Sequence, residues 1–222
     1  LSASGHALSP ASLARLGSAI AQMKSGLVRL AVGDRTMGDE GLEAFCKELE
    51  NVRGAKLEVL DFAWKDISER GLVALGQAFG KSNHLRELDL SRNERIDDNS
   101  LMASLEPLSV ERDQPAFRNL EVLNFSECGF KANGLQAIVD CLSSGQDKEG
   151  VEHERTLKLV VSGNALGSRI APALSTLIRG KLAMLNCLSM SGCNIEDVGL
   201  EDLCRAVFLG PCRKLRSLDL SS

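Results

Sequence analysis

The chain has little of what a membrane protein, a nucleic-acid binder or an enzyme usually displays. No window approaches the roughly 18 consecutive apolar residues of a spanning helix, so no membrane partner is expected. Base is not in excess: 26 Lys and Arg against 30 Asp and Glu leave a formal net charge of -4. That balance argues against nucleic acid, which calls for a strongly basic surface. Leu1-Ser2-Ala3-Ser4-Gly5-His6 has no basic head followed by an apolar run, so no signal peptide is read there. His6, His84 and His153 are scattered, with no HExxH or Cys-His arrangement and no GxxxxGK[ST] or GxGxxG phosphate loop. Seven cysteines (46, 128, 141, 187, 193, 204 and 212) contain no CxxC pair. They are expected as reduced core thiols, which suits a cytoplasmic location. No cofactor, metal or catalytic residue is expected.

What the chain does have is periodicity. In Leu85-Arg86-Glu87-Leu88-Asp89-Leu90-Ser91-Arg92-Asn93 leucines stand at the first, fourth and sixth places and Asn at the ninth. This LxxLxLxxN pattern is the strand-and-turn half of a leucine-rich repeat. Taking its first leucine as the register mark, further copies start at Leu27, Leu57, Leu120, Thr156, Leu185 and Leu215. Each but the last pairs an apolar period of two with an apolar period of 3.6, the mark of a strand followed by a helix. A worn first copy precedes them, with Leu1 and Ala3 at the fourth and sixth places, and Ser9-Pro10 reads as the start of its helix. The fourth and fifth units are long. Their helices are expected to give way to polar insertions, at Glu106-Pro107-Leu108 and Val110–Pro115, and at Ser143–Gly150. Both insertions are expected to project from one rim. Arg35 and Lys65 occupy ninth places where Asn is usual, so each long cation is expected to turn outward or find a partner. Pro172 is tolerable only in the first turn of its helix.

Units of this length, with helical second halves and Asn or Cys at the ninth place (Asn93, Cys128, Asn164, Cys193), resemble the ribonuclease-inhibitor-like subfamily of leucine-rich-repeat proteins. That group includes ribonuclease inhibitor, Ran GTPase-activating protein, sensor domains of cytosolic immune receptors and tropomodulin. The resemblance implies an α/β fold: a leucine-rich-repeat solenoid, a horseshoe arc with parallel strands on the concave face and helices on the convex face. Residues 1–222 are expected to form a single arc of about seven repeats plus a partial last strand. Neither end carries a polar cap, so a fragment of a longer protein is expected.

Such folds display surfaces and do not fix a chemistry. Third-, fifth- and seventh-place side chains should face the concave surface. Asp61 and Asp89 then stand on adjacent strands, near Glu87, Glu58 and Glu121. Two exposed carboxylates ~5 Å apart repel by only about 1 kcal/mol in water, so the group suits ordinary solvated surface as well as a docking patch for a basic partner. Trp64, the one tryptophan, stands at an eighth place, either as an interface anchor or packed under a neighbouring turn. The expected function is non-catalytic protein binding through the concave sheet and one rim. The residues nominated for it are Asp61, Trp64, Arg86, Glu87, Asp89, Arg92, Glu121 and Asn124. The alternative is a GTPase activator resembling the Ran activator, for which Arg35 is the candidate.

Overall fold

Fifteen segments alternate along the chain in the computed structural model, which describes residues 1–23, 26–50, 56–110, 116–117, 119–143, 156–178, 185–209 and 215–221. The strands are β1 (Ser2–Ser4), β2 (Arg29–Gly33), β3 (Val59–Asp61), β4 (Glu87–Asp89), β5 (Val122–Asn124), β6 (Leu157–Val160), β7 (Leu185–Ser189) and β8 (Ser217–Asp219). Between them run α1 (Pro10–Gln22), α2 (Gly38–Lys47), α3 (Glu69–Phe79), α4 (Asp98–Val110), α5 (Ala132–Ser143), α6 (Ala171–Ile178) and α7 (Asp197–Leu209). All eight strands form one parallel sheet in chain order, and each helix packs beside the helices before and after it. This is the leucine-rich-repeat solenoid, strands lining one face and helices the other.

The register follows the repeat. Leu60 pairs with Leu88, Leu88 with Leu123, and Leu123 with Leu159, so fourth-place leucines stack into a column. Fourth- and sixth-place side chains from Leu30 to Met190 are buried throughout. One unit is corrected: the sixth repeat starts its core at Leu157. Leu157 is buried and pairs with Leu185, and the register shifts between Leu157 and Lys158 to restore the alignment. Thr156 lies exposed just ahead of the strand.

Two kinds of side-chain tie to backbone recur between successive units, besides the sheet ladder. At the strand-end turn, Asn93 is fully buried and reaches back to the third unit. Its Oδ1 accepts from the amides of Lys65 (2.9 Å) and Ile67 (3.1 Å), and its Nδ2 donates to the carbonyls of Phe62 (3.0 Å) and Leu90 (2.8 Å). Asn164 does the same between the sixth and fifth units, accepting from Cys128 N and donating to Phe125 O. Cys128 and Cys193 keep only the donor half of this role, through thiols pointed at Leu90 O and Val161 O. Burial pushes the Cys128 thiol up to about 12, so it stays protonated.

The second tie is at the helix starts and points forward. Asp39, in the first turn of α2, accepts from the Ser68 and Gly71 amides (2.7 and 3.0 Å) at the start of α3. Asp98, in the matching place of α4, accepts from the Lys131 and Gly134 amides (2.7 and 2.8 Å) at the start of α5. Amides at a helix start have no partner within the helix, and a carboxylate there also meets the positive end of its dipole. Glycine is needed because a Cβ on Gly71 would stand 2.7 Å from Asp39 Oδ1, and one on Gly134 2.9 Å from Asp98 Oδ1.

Three local expectations meet the structure differently. Ser9 caps α1 by accepting from the Ser12 amide, and Pro10 and Pro172 lie in first turns, as expected. The fourth helix, however, does not give way at Glu106–Leu108: α4 runs on to Val110 with Pro107 inside it. Leu108 holds that last turn by packing where Gly76 and Gly80 leave α3 bare, its Cδ1 2.9 Å from where a Gly76 Cβ would be. The insertions at residues 111–115 and 144–150 lie outside the described residues, so the rim expected for them does too.

Candidate protein-binding surface

Fifth-place side chains end the strands before they can do anything else. Asp89 Oδ1 accepts from the Ser91 amide and hydroxyl (2.9 and 2.7 Å), and Asn124 Oδ1 from those of Ser126 (3.0 and 2.7 Å). Asp61 Oδ1 accepts from Ala63 N at 3.0 Å. A short acceptor two residues before a turn amide closes the turn locally, which explains why Asp or Asn recurs at this place.

Asp61 and Asp89 are directly paired neighbours on β3 and β4, and Asn124 lies next on β5. Charges around them are largely balanced. Asp89 Oδ2 accepts from Asn124 Nδ2 at 3.1 Å. Glu87 meets Arg29 across two strands at 3.7 Å. Arg86 lies between Glu58, at 3.9 Å, and Glu121, to which it is hydrogen-bonded. Arg92 pairs with Glu127 at 3.3 Å. Arg29 and Glu127 were not among the nominated residues, although the third- and eighth-place columns in which they stand were readable.

Lys65 alters the acidic group most. Its side chain does not turn outward: the residue is only 5% exposed, and Nζ folds back to donate to Ala63 O at 2.8 Å. Burial lowers its pKa, opposed by the carboxylates of Asp61, Asp34 and Asp89. The three carboxylates act on this ammonium through space, beyond ion-pair distance.

Trp64 borders this group. Its φ of +58° is left-handed, a region that a bulky side chain enters at a cost of about 1–2 kcal/mol. The turn itself demands that conformation. Gly5, Gly163 and Gly192, all eighth-place residues, have φ of +84°, +70° and +63°, and Arg92 and Glu127 share it at +60° and +52°. The Trp64 amide donates to Ser91 O at 2.8 Å, as each of these does to the following turn. Its indole is not packed away: the residue is 56% exposed. Arg35 is also exposed, and among the described residues no ion pair or hydrogen bond engages its guanidinium. Beside it, Asp34 accepts from the Thr36 amide and hydroxyl, which hold its pKa below the usual carboxylate range.

The sequence profile of the Leucine Rich repeat family matches residues 81–103, 118–139 and 181–204. Ribonuclease inhibitor from Mus musculus is 26% identical over 198 residues, covering 89% of this chain and 40% of the inhibitor. The chain is built of leucine-rich repeats and is similar to proteins of the ribonuclease-inhibitor-like type. The leucine-rich-repeat chain spans less than half the length of that relative. Among its described residues no group of three or more His, Cys, Asp or Glu is disposed to hold a metal ion, and no helix is long and apolar enough to cross a membrane.

Proposed function

We propose that this leucine-rich-repeat arc is a non-catalytic protein-binding module. Its working surface is centred on Trp64 and extends over the concave sheet through Asp61, Asp89, Arg86, Glu87, Arg92, Glu121 and Asn124. The exposed indole carries the reading. Glycine fills the same place in three other units, so the fold does not ask for a side chain there, and tryptophan is the residue most enriched among interface anchors. The partner favoured is a protein segment bearing base, because Asp34, Asp61 and Asp89 face one tethered ammonium beyond ion-pair distance and clustered charge steers association. The balanced pairs of Arg86, Glu87, Arg92 and Glu121 contribute shape and register more than net field. Cys46, Cys141 and Cys193, all buried and none in a disulfide, are consistent with a cytoplasmic setting.

The test is Trp64→Gly, compared with wild type in quantitative affinity capture, followed by titration of the purified partner. Glycine suits the left-handed turn, so the variant is expected to fold at least as well while losing about tenfold or more in affinity. Undiminished binding of every captured partner would refute the placement.

A second reading has one observation in its favour. The unengaged guanidinium of Arg35, on the same rim, is what a GTPase activator resembling the Ran activator would need. Acceleration of GTP hydrolysis by a Ran-like GTPase, lost in Arg35→Ala, would support it; no acceleration dismisses it.

A further inference from the structure

We propose that Asn133-Gly134 is a self-modifying site, at which the asparagine deamidates through a cyclic imide, and that Asp98 holds it silent. It is the one Asn-Gly pair in the chain. Asparagine is thermolabile, most of all before glycine, where no Cβ shields the backbone nitrogen that attacks the side-chain amide. Both residues lie in the first turn of α5. Asn133 is exposed, and with Met102, Glu106 and Asp140 it lines an open groove of about 390 Å³ between α4 and α5. Water therefore reaches its side chain.

The fold demands the glycine and not the asparagine. A Cβ on Gly134 would stand 2.7 Å from Phe130 Cβ and 2.8 Å from Leu101 Cδ1. The matching glycines Gly41, Gly71 and Gly199 follow Glu40, Arg70 and Val198, so the place before them accepts varied side chains. Reactivity is set by the Gly134 amide. An amide in the first turn of a helix has no partner within the helix and would be free to attack. Here it donates to Asp98 Oδ1 at 2.8 Å, and the same oxygen accepts from Lys131 N at 2.7 Å, pinning the turn on both sides of Asn133. Attack requires that bond to break and the turn to leave helical geometry.

In the reaction the Gly134 nitrogen bonds to Asn133 Cγ, the Cγ–Nδ2 bond breaks, and ammonia leaves with the amide hydrogen. Water then adds across one of the two imide C–N bonds. Opening at Cγ gives aspartate; opening at the main-chain carbonyl gives isoaspartate. The imide nitrogen carries no hydrogen, so its bond to Asp98 cannot form, and isoaspartate puts an extra methylene into the backbone of the turn. One passage through the reaction thus releases the Asp98 tie between α4 and α5 for good. The inference is independent of which surface binds a protein.

The experiment incubates the natural protein at near-neutral pH and physiological temperature and follows Asn133 by peptide mass spectrometry and isoaspartyl methylation. A synthetic peptide spanning residues 128–138 gives the unprotected rate. The folded protein is expected to react at least about tenfold more slowly than the peptide. Asp98→Ala is expected to react about tenfold faster than wild type, the effect of one charge-assisted hydrogen bond on local opening. Asp98→Asn, which keeps an acceptor oxygen and guards against a misfolded alanine variant, should lie between. Asp39→Ala breaks the equivalent tie between α2 and α3 and should leave the rate at Asn133 unchanged. A wild-type rate equal to that of the peptide would overturn the proposal. So would a rate in Asp98→Ala no higher than wild type, which would make the carboxylate idle or a base for the attack. Equal acceleration by Asp39→Ala would also overturn it, by assigning the protection to global stability.

Discussion

Replacing Asn93 by Ala tests the physical basis of the repeat most directly. The change removes one side chain and leaves four buried backbone groups to account for. The amides of Lys65 and Ile67 lose the Oδ1 they share, and the carbonyls of Phe62 and Leu90 lose Nδ2. Leu90 O keeps the weak Cys128 thiol contact at 3.5 Å. Each stranded buried group costs about 1–3 kcal/mol. Alanine leaves a void large enough for a water to recover part of that, so the expected loss is about 3–5 kcal/mol. With a urea slope of about 2–3 kcal/mol/M for a chain of this size, the midpoint should fall by about 1–2 M. Circular dichroism against urea measures the shift, and hydrogen exchange should show the Lys65 and Ile67 amides losing protection before those of Leu123 and Phe125. Asn93→Cys, which copies the fifth and seventh units, should fall between Ala and wild type because it restores a donor but no strong acceptor. A midpoint shift under about 0.3 M for Asn93→Ala would refute the view that this side chain is the tie between the third and fourth units.

Other consequences follow from the same geometry. Gly71→Ala, which in an ordinary helix would stabilise by up to about 1 kcal/mol, should here lower the thermal midpoint, because its Cβ would meet Asp39 Oδ1 at 2.7 Å. Trp64→Gly should leave stability unchanged or raise it by about 1 kcal/mol by relieving a left-handed tryptophan, as read by urea unfolding. Alkylation at pH 8 should label the exposed Cys204 quickly and leave Cys128 and Cys141, whose thiols burial pushes up to about 12, unmodified until the chain unfolds. Lys65 has a folded pKa below its ordinary 10.5, so the unfolded chain holds more protons in the window just below that value. Stability from this group should therefore rise with pH through the window. Lys65→Met should lack that rise, and equal slopes for the two proteins in urea series between pH 8 and 10.5 would contradict it.

The arc was readable from Leu85–Asn93 because two independent signals agree there: an apolar period of two ending in a buried amide, then an apolar period of 3.6. Neighbouring copies repeat both, so the order and direction of the strands follow. The facing of Asp61, Asp89 and Asn124 was also readable, since strand alternation leaves no other choice. What local pattern cannot carry is how a long side chain resolves its surroundings. Lys65 folds inward to donate to Ala63 O, with the field of three carboxylates favouring its charge, two of them on neighbouring units. Helix α4 runs through Pro107 because Leu108 finds a glycine-lined face on α3, a tertiary gain that outweighs a local penalty. The carboxylates read as a docking patch also close turns or pair with Arg86, one repeat away, and with Arg29, two repeats away.

The two inter-unit ties alternate along the arc in a way that bears on its mechanics. Between the second and third units the tie is Asp39, at the helix start; between the third and fourth it is Asn93, at the strand end. Asp98 then joins the fourth to the fifth at the helix start, and Asn164 the fifth to the sixth at the strand end. The tightest ties of these successive joints thus sit on opposite layers, outer then inner, with the Cys128 thiol adding a weak inner contact between the fourth and fifth units. A load that spreads the helices strains every second joint, and one that splays the turns strains the others. None of these four joints is left without a side-chain tie to resist hinging. A partner settling into the concavity would meet a spring that yields by small amounts over several units, and curvature imposed near Trp64 would be shared with units well beyond it.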